Sequence, residues 1–176
     1  SGGRDAFISK FNSDGTKDWT RLLGSSDDGQ AWAIANGSDG SIYIAGDTSG
    51  NLDGQITSGG GEDAFISKFN SDGTKVWTRI IGSSAQEVGS ALTTGNDGSI
   101  YIAGGTEGDL DGQTNNGKTN NNRFDAFISK YNPDGTKVWT SLIGSSKADQ
   151  AKALATGNDG SIYIAGETYG DLDGQT

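Results

Sequence analysis

The side chains best suited to chemistry are carboxylates that recur in one short loop. The loop reads Asp-Leu-Asp-Gly-Gln at 109–113 and 171–175, and Asn-Leu-Asp-Gly-Gln at 51–55. Oxygen side chains at alternate positions before a glycine suit Ca²⁺, which takes about six to eight oxygen ligands. The pattern is therefore compatible with a Ca²⁺ site. The candidate ligands are Asp53, Asp109, Asp111, Asp171, Asp173, and the acids that open the following strands, Asp63 and Asp125.

The same loops also fit an ordinary turn. Glycine stands at the fourth position of the motif, and no acid lies where a complete Ca²⁺ loop has its bidentate ligand. Asx-type turns with a leucine packed into the core explain the pattern without a metal. We favour the turn and keep Ca²⁺ as the alternative cofactor.

The sequence contains few residue types suited to catalysis, because histidine and cysteine are both absent from its 176 residues. Their absence removes the commonest general base, the histidine-dependent nucleophiles, thiolate metal sites and disulfides. Two carboxylates alone can cleave glycosides, but nothing distinguishes such a pair among the repeated acids. We therefore expect that the protein is not an enzyme.

The formal net charge of -10 narrows the choice of partner. Nucleic acids and anionic membrane surfaces would be repelled, so we expect no nucleic-acid binding. No apolar run approaches the roughly 18 residues that a membrane helix needs, so we expect no membrane insertion. The lack of cysteine is compatible with an extracellular or cell-surface location, which we expect. The first residue is Ser1, not methionine, which suggests a processed or excised segment.

Comparison of the sequence with itself shows three tandem repeats. The segment Asp-Ala-Phe-Ile-Ser-Lys begins at Asp5, Asp63 and Asp125, at spacings of 58 and 62 residues. The chain reads as one propeller segment, 1–176, with units 5–62, 63–124 and 125–176. Residues 1–4 of a partner or of a neighbouring repeat would complete the third unit. A period of this length is typical of repeat architectures.

Each unit contains four short β-rich segments, which in the third unit are 126–131, 137–143, 151–156 and 161–166. Asn-x-Asp-Gly and Asn-Asp-Gly sequences between them favour hairpins. The Ile-Tyr-Ile-Ala segments do not alternate with polar residues, so both of their faces should be covered. We predict an all-β propeller of four-stranded antiparallel blades, with three blade-equivalents per chain and no helix longer than a turn or two.

These residues resemble the SBBP-type β-propeller repeats over essentially the whole chain. The shared pattern reads, in the third unit, Asp125-Ala126-Phe127, Asn132-Pro133-Asp134-Gly135, Trp139, Ile143-Gly144, Asp149 to Ala155 and Gly160 to Thr168. The resemblance implies four-stranded blades and no particular activity. Asp18 and Trp32 depart from the other copies, which have valine at the first position and Ser90 or Lys152 at the second.

Positions that differ between copies lie on one set of connections, which strand direction places on one face. They are 27–32, 85–90, 147–152 and the insertion 115–124. Loops on a rigid scaffold usually carry function. The candidate ligand-binding residues are Trp32, Asp28, Glu87 and Asp149.

We expect a non-catalytic binding or scaffolding module that acts through this acidic face on a protein or glycan. The alternative is a Ca²⁺-binding propeller with hydrolase or lyase activity on that face. By propeller analogy the chain begins with the third strand of one blade and ends with the second strand of another. Two copies would then close a six-bladed ring as a homodimer. Further repeats of a longer chain are the rival explanation.

Overall fold

The computed structural model describes residues 3–24, 27–117 and 124–175, and these form strands and turns. The strands are β1 (Ala6–Phe11), β2 (Lys17–Leu23), β3 (Gly29–Asn36), β4 (Ile42–Thr48), β5 (Asp63–Phe69), β6 (Lys75–Ile81), β7 (Glu87–Thr94), β8 (Ile100–Thr106), β9 (Asp125–Tyr131), β10 (Lys137–Ile143), β11 (Asp149–Thr156) and β12 (Ile162–Thr168). The all-β prediction is confirmed. Within the described ranges, no helix is long and apolar enough to cross a membrane.

The strands form four antiparallel sheets. Two sheets have four strands, in the orders β3-β4-β5-β6 and β7-β8-β9-β10, and β1-β2 and β11-β12 form two-stranded sheets. The four-stranded blades predicted from the sequence are therefore present. Strand β7 packs against both β3 and β11, which makes these three the inner strands.

Turn chemistry explains why the strands reverse where they do. At the turn between β9 and β10, the Gly135 N–H donates to the Asn132 carbonyl at 2.9 Å, and Gly135 has φ 82°. The Thr136 N–H donates to Asp134 Oδ1 at 2.8 Å. This hydrogen bond and that of the Thr136 side chain hold the pKa of Asp134 below its usual range. Glycine is needed where φ is positive, and aspartate stabilises the turn.

Adjacent blades are joined by apolar side chains and by one recurring tryptophan. β5 and β8 are buried along their whole length, as the non-alternating sequence predicts for β8. The same prediction is wrong for β12, which is largely exposed because β11 is its only paired strand among the described residues. Trp77 on β6 donates its indole N–H to the Pro133 carbonyl of the next blade at 3.2 Å. Arg79 donates to the Gly135 carbonyl at 2.9 Å and its guanidinium stacks 5.4 Å from the Trp77 ring centroid. Trp77 thus packs one blade against the next, whereas its counterpart Trp139 is 41% exposed.

Candidate functional site

Strand direction separates the connections into two faces. The loop face consists of residues 27–28, 49–62, 82–86, 107–117, 144–148 and 169–175, and the turn face of residues 12–16, 37–41, 70–74, 95–99, 132–136 and 157–161. The turn face repeats the same Asp-Gly chemistry six times. The loop face differs in sequence and length between units. Part of its insertion, 118–123, lies outside the described residues.

The Asp-Leu-Asp-Gly motifs of the loop face form tight hairpins. Leu52 and Gln55 exchange two backbone hydrogen bonds of 3.0 and 2.9 Å, and Leu110–Gln113 and Leu172–Gln175 form the same bridge. Asp53 and Gly54 have φ of 53° and 75°, which is the pattern of a two-residue hairpin turn with positive φ at both central positions. Leu52 and Leu110 are buried in the core. The leucine therefore anchors the first two turns, whereas Leu172 is only partly buried.

The aspartates of these turns are engaged by neighbouring strands. Asp53 pairs with the Lys75 ammonium and accepts a 2.5 Å hydrogen bond from the Thr78 hydroxyl. In the next unit, Asp111 pairs with Lys137 and accepts a 2.5 Å bond from Thr140. Asp109 accepts the Asn115 N–H at 3.0 Å. Asp171 and Asp173 are exposed in the third unit.

Asp63 and Asp125 open strands and fasten the loops that precede them. Asp63 Oδ2 accepts the Ser58 N–H at 2.5 Å, and Asp125 accepts the N–H groups of Asn116 and Gly117 at 2.7 and 3.3 Å. Burial raises the pKa of both carboxyls, and the backbone hydrogen bonds oppose it. Both residues thus act as loop caps.

Calcium binding by these loops stays a prediction. In the described part of the chain, no group of three or more acidic side chains is placed to hold a metal ion. Because lysine and threonine already satisfy Asp53 and Asp111, we expect the melting temperature to be the same, to within about 1 °C, in excess Ca²⁺ and in EDTA. A thermal melt followed by circular dichroism tests this, with Mg²⁺ as the control ion. A clear rise specific to Ca²⁺ would establish the metal site instead.

Glu87 and Asp149 occupy the same position in successive units and lie in the interior. The Glu87 carboxylate accepts hydrogen bonds from the Ser83 N–H and hydroxyl, both at 2.6 Å, and from the Thr106 hydroxyl at 2.7 Å. Asp149 accepts the corresponding Ser145 N–H at 2.6 Å and hydroxyl at 2.9 Å. Burial raises the pKa of Glu87. By binding Ser83 and Ser145, these two buried acids hold the links 82–86 and 144–148 in place.

Asp28 lies at the surface of the loop face. It accepts the Arg4 backbone N–H at 2.8 Å and the guanidinium at 3.1 and 3.2 Å. The backbone bond, followed by the guanidinium, lowers the pKa of Asp28. Both guanidinium nitrogens donate to Oδ2, and Oδ1 accepts the backbone N–H.

Trp32 lies at a β-bulge of β3 and is 56% exposed. Its indole N–H donates to Asp47 Oδ1 at 2.6 Å. Asp47 is only 2% exposed, and burial raises its pKa to about 6, with the nearby Glu62 charge adding to the rise and the Trp32 hydrogen bond opposing it. Sequence reasoning missed Asp47.

A comparison of the three repeat units could have identified Asp47 as the partner of Trp32. The third unit has Lys152 and Glu167 at the positions of Trp32 and Asp47, and these form an ion pair of 3.4 Å. The second unit has Ser90 and Gly105 there. Both positions change together, which is what a contact between two neighbouring strands produces.

The first unit carries a cleft of about 600 Å³ on the loop face. It is lined by Gly3, Asp27, Asp28, Ser49, Thr57 and the glycines 59–61. Gly60 has φ 91°, and a Cβ there would collide with the Ser84 carbonyl, so glycine lets this loop lie directly on the link 82–86. The cleft is polar, acidic and of a size that suits a ligand.

A family model and a solved structure bear on the fold. Residues 37–75 match a family model described as a domain of unknown function (DUF5122) beta-propeller. This match supports a β-propeller repeat without distinguishing its type. The crystal structure of a protein of unknown function from Bacteroides caccae superposes with a TM-score of 0.55 at 11% identity, over 95% of this chain and 49% of that one.

A curated relative is longer still. Regulatory protein FlaEY of Caulobacter vibrioides is 34% identical over 146 residues, which are 78% of this chain and 15% of that protein. The chain thus spans about half of the solved structure and a much smaller part of the curated relative.

Proposed function

We propose that this chain is a non-catalytic β-propeller module that binds or scaffolds a protein or glycan partner through its loop face. The observation that carries the proposal is the acidic cleft of the first unit, lined by Asp27, Asp28 and glycine backbone. We assign the repeats to the SBBP type on their sequence motif. The printed name of the curated relative, a regulatory protein, fits a binding role loosely.

The rigidity of the loop face supports a binding role. Buried carboxylates tie the loops and links to the strands at Glu87, Asp149, Asp63 and Asp125. A surface held in one conformation loses little entropy when it binds a partner. Because these carboxylates already accept hydrogen bonds that hold the loops in place, they fit a structural role. This favours binding over the alternative of a Ca²⁺-dependent hydrolase or lyase.

Charge favours a basic protein surface as the first partner to test. The chain carries a net charge of -10, and Asp28 already receives a guanidinium within the cleft region. Arginine and lysine side chains of a partner would meet the same chemistry. We propose that the module lies outside the cytoplasm, a location with which a chain without cysteine is compatible.

Asp27→Asn is expected to weaken binding of a basic protein about threefold to tenfold, because one interfacial charge is lost. Binding is measured by biolayer interferometry against basic proteins, acidic proteins and a glycan array, at low and high salt. Val76→Lys is the matched control, since it changes the net charge by the same single unit on the half-exposed rim strand β6. Equal loss of affinity in both variants would contradict a role for the cleft.

The enzymatic alternative has its own test. A hydrolase and lyase screen with and without EDTA is expected to give no turnover. Reproducible activity that Asp111→Ala abolishes would replace the binding proposal with the catalytic one.

A further inference from the structure

The link that enters the inner strand is fastened differently in the first unit than in the other two. Glu87 and Asp149 are buried at the start of β7 and β11, and their carboxylates hold the links 82–86 and 144–148 from within. The register with the second strand of each unit places Gly29 at the same position of β3. Because glycine has no carboxylate, the first unit lacks this internal fastening.

Neither packing nor backbone conformation requires a glycine at position 29. A Cβ on Gly29 would meet its nearest atoms, the Asp47 carbonyl and the Thr48 hydroxyl, at 3.8 Å, which is ordinary van der Waals contact. Its φ does not lie in the positive region that favours glycine. The loss of the internal carboxylate is therefore a property of this unit and not a demand of the fold.

An ion pair at the surface fastens the first link instead. Two guanidinium nitrogens of Arg4 donate to Asp28 Oδ2 at 3.1 and 3.2 Å, and the Arg4 backbone N–H donates to Oδ1 at 2.8 Å. In the other units the same two positions carry no pair of opposite charges: they are Glu62 with Gln86 and Phe124 with Ala148. The ion pair is thus specific to the first unit.

This ion pair lies where a ligand can reach it. Asp28 lines the cleft of the first unit, which Thr57 and the glycines 59–61 also line. The side chains of Arg4 and Asp28 are 63% and 42% exposed, whereas the fastening carboxylates of the other two units are buried. Exposed ion pairs are weak, because water and salt screen them. A cation that enters the cleft can therefore compete for Asp28.

The contacts of Asp28 show which cation suits the cleft. Asp28 already binds a guanidinium group, through two of its nitrogens. Asp27 adds a second carboxylate to the lining, and Ser49 and Thr57 add hydroxyl oxygens. A guanidinium carries five N–H donors in one plane and has no acceptor, so a lining of oxygen atoms complements it. None of the described lining residues is basic.

From these observations we infer that the Arg4–Asp28 pair is a latch on the cleft, and that an arginine side chain of the partner displaces Arg4 from Asp28. The inference rests on the proposed binding function, and it adds the group that is recognised and a contact within the chain that competes with it. One ion pair replaces another in this exchange. Arg4 therefore lowers the affinity of the cleft for its partner without blocking the cleft.

An acetylated Gly-Arg-Gly amide is the probe, and NMR titration measures its affinity. Arg4→Gln is expected to tighten its binding about twofold to fivefold, because an exposed ion pair no longer competes for Asp28. Lys10→Gln is the matched control, since it removes the same charge and breaks the exposed pair of Lys10 with Asp18, 2.8 Å long, on β1 and β2. An equal gain in both variants, or unchanged affinity in Arg4→Gln, overturns the latch.

The gain in affinity should require Asp28. Asp28→Asn is expected to weaken binding of the arginine peptide about threefold to tenfold, and Arg4→Gln should then bring no more than Lys10→Gln brings. An equal effect of Arg4→Gln with and without Asp28 contradicts the latch. The corresponding Gly-Lys-Gly amide should bind more weakly, because an ammonium lacks the planar donor arrangement of a guanidinium. Equal affinities for the two peptides contradict recognition of arginine.

Hydrogen exchange without any peptide separates the latch from the binding function. The Gly29 N–H donates to the Arg4 carbonyl at 2.7 Å, and the Ser49 N–H donates to the Asp28 carbonyl at 2.8 Å. In Arg4→Gln both amides should exchange at least about threefold faster, because the ion pair no longer fastens the link. The amides of Glu87 and Glu107 make the equivalent bonds in the second unit, and their exchange should not change.

The outcomes distinguish a failure of the latch from a failure of the proposed function. Unchanged exchange at Gly29 and Ser49 overturns the latch even where the peptide binds. Peptide binding with the same affinity in the wild type and in Arg4→Gln also overturns the latch, and leaves the binding function in place. A lack of peptide binding in every variant contradicts recognition of arginine by the cleft, and the latch with it.

Discussion

Replacing Phe127 by alanine is expected to lower the free energy of unfolding by about 3–5 kcal/mol. The Phe127 ring lies in a buried cluster with Ala64, Ile66 and Ile81 of the preceding blade and with Leu110 of its own. Removing it leaves a cavity between the two complete blades that neither sheet can close without breaking its own ladder. Urea denaturation followed by tryptophan fluorescence measures the loss.

Phe7→Ala is the matched control for that experiment. It removes the same side chain from the same position of the repeat, but Phe7 is mostly exposed. The free energy of unfolding should therefore change by less than about 1 kcal/mol. Equal losses in the two variants would show that the blades do not pack through Phe127.

This pair of residues also shows where sequence reasoning stops. The strand pattern, the turns and the four-stranded blade follow from local rules, because Asp-Gly turns and β-branched segments act over a few residues. Phe7 and Phe127 stand in the same local sequence, Asp-Ala-Phe-Ile-Ser-Lys. Their burial differs because residues of the preceding blade cover Phe127, whereas the described residues leave Phe7 63% exposed, and local sequence contains no such information.

The acidic loops show the same limit at the candidate site. Alternating oxygen side chains before a glycine describe both a Ca²⁺ loop and a hairpin turn with positive φ. The contacts that fix the geometry come from Lys75 and Thr78 for Asp53, which are more than twenty residues away in the chain. Asp47 was missed for a similar reason: its burial depends on Trp32 across a β-bulge.

Asp47 makes stability depend on pH in the direction opposite to that of a salt-bridged acid. Its pKa is raised to about 6 from its ordinary value of 3.8, chiefly by burial, so the folded state binds a proton more tightly than the unfolded state. The stabilisation is complete below about pH 4 and is lost as the pH rises through about 6. Burial also raises the pKa of Asp63, Glu87, Glu107 and Asp125, which adds to the same trend.

Asp47→Asn is therefore expected to raise the free energy of unfolding at pH 7 by on the order of 2 kcal/mol, because the amide keeps an acceptor for Trp32 and removes a buried charge. Urea denaturation at several pH values from about 4 to 7 should show a smaller decline in the variant. Asp14→Asn is the control for net charge. Asp14 is exposed, and hydrogen bonds from Thr16 lower its pKa, so its neutralisation should bring no gain at pH 7. A variant whose stability changes from pH 4 to 7 in the same way as the wild type's, or a variant less stable at pH 7, would show that Asp47 is not held as a buried, largely protonated acid near pH 5.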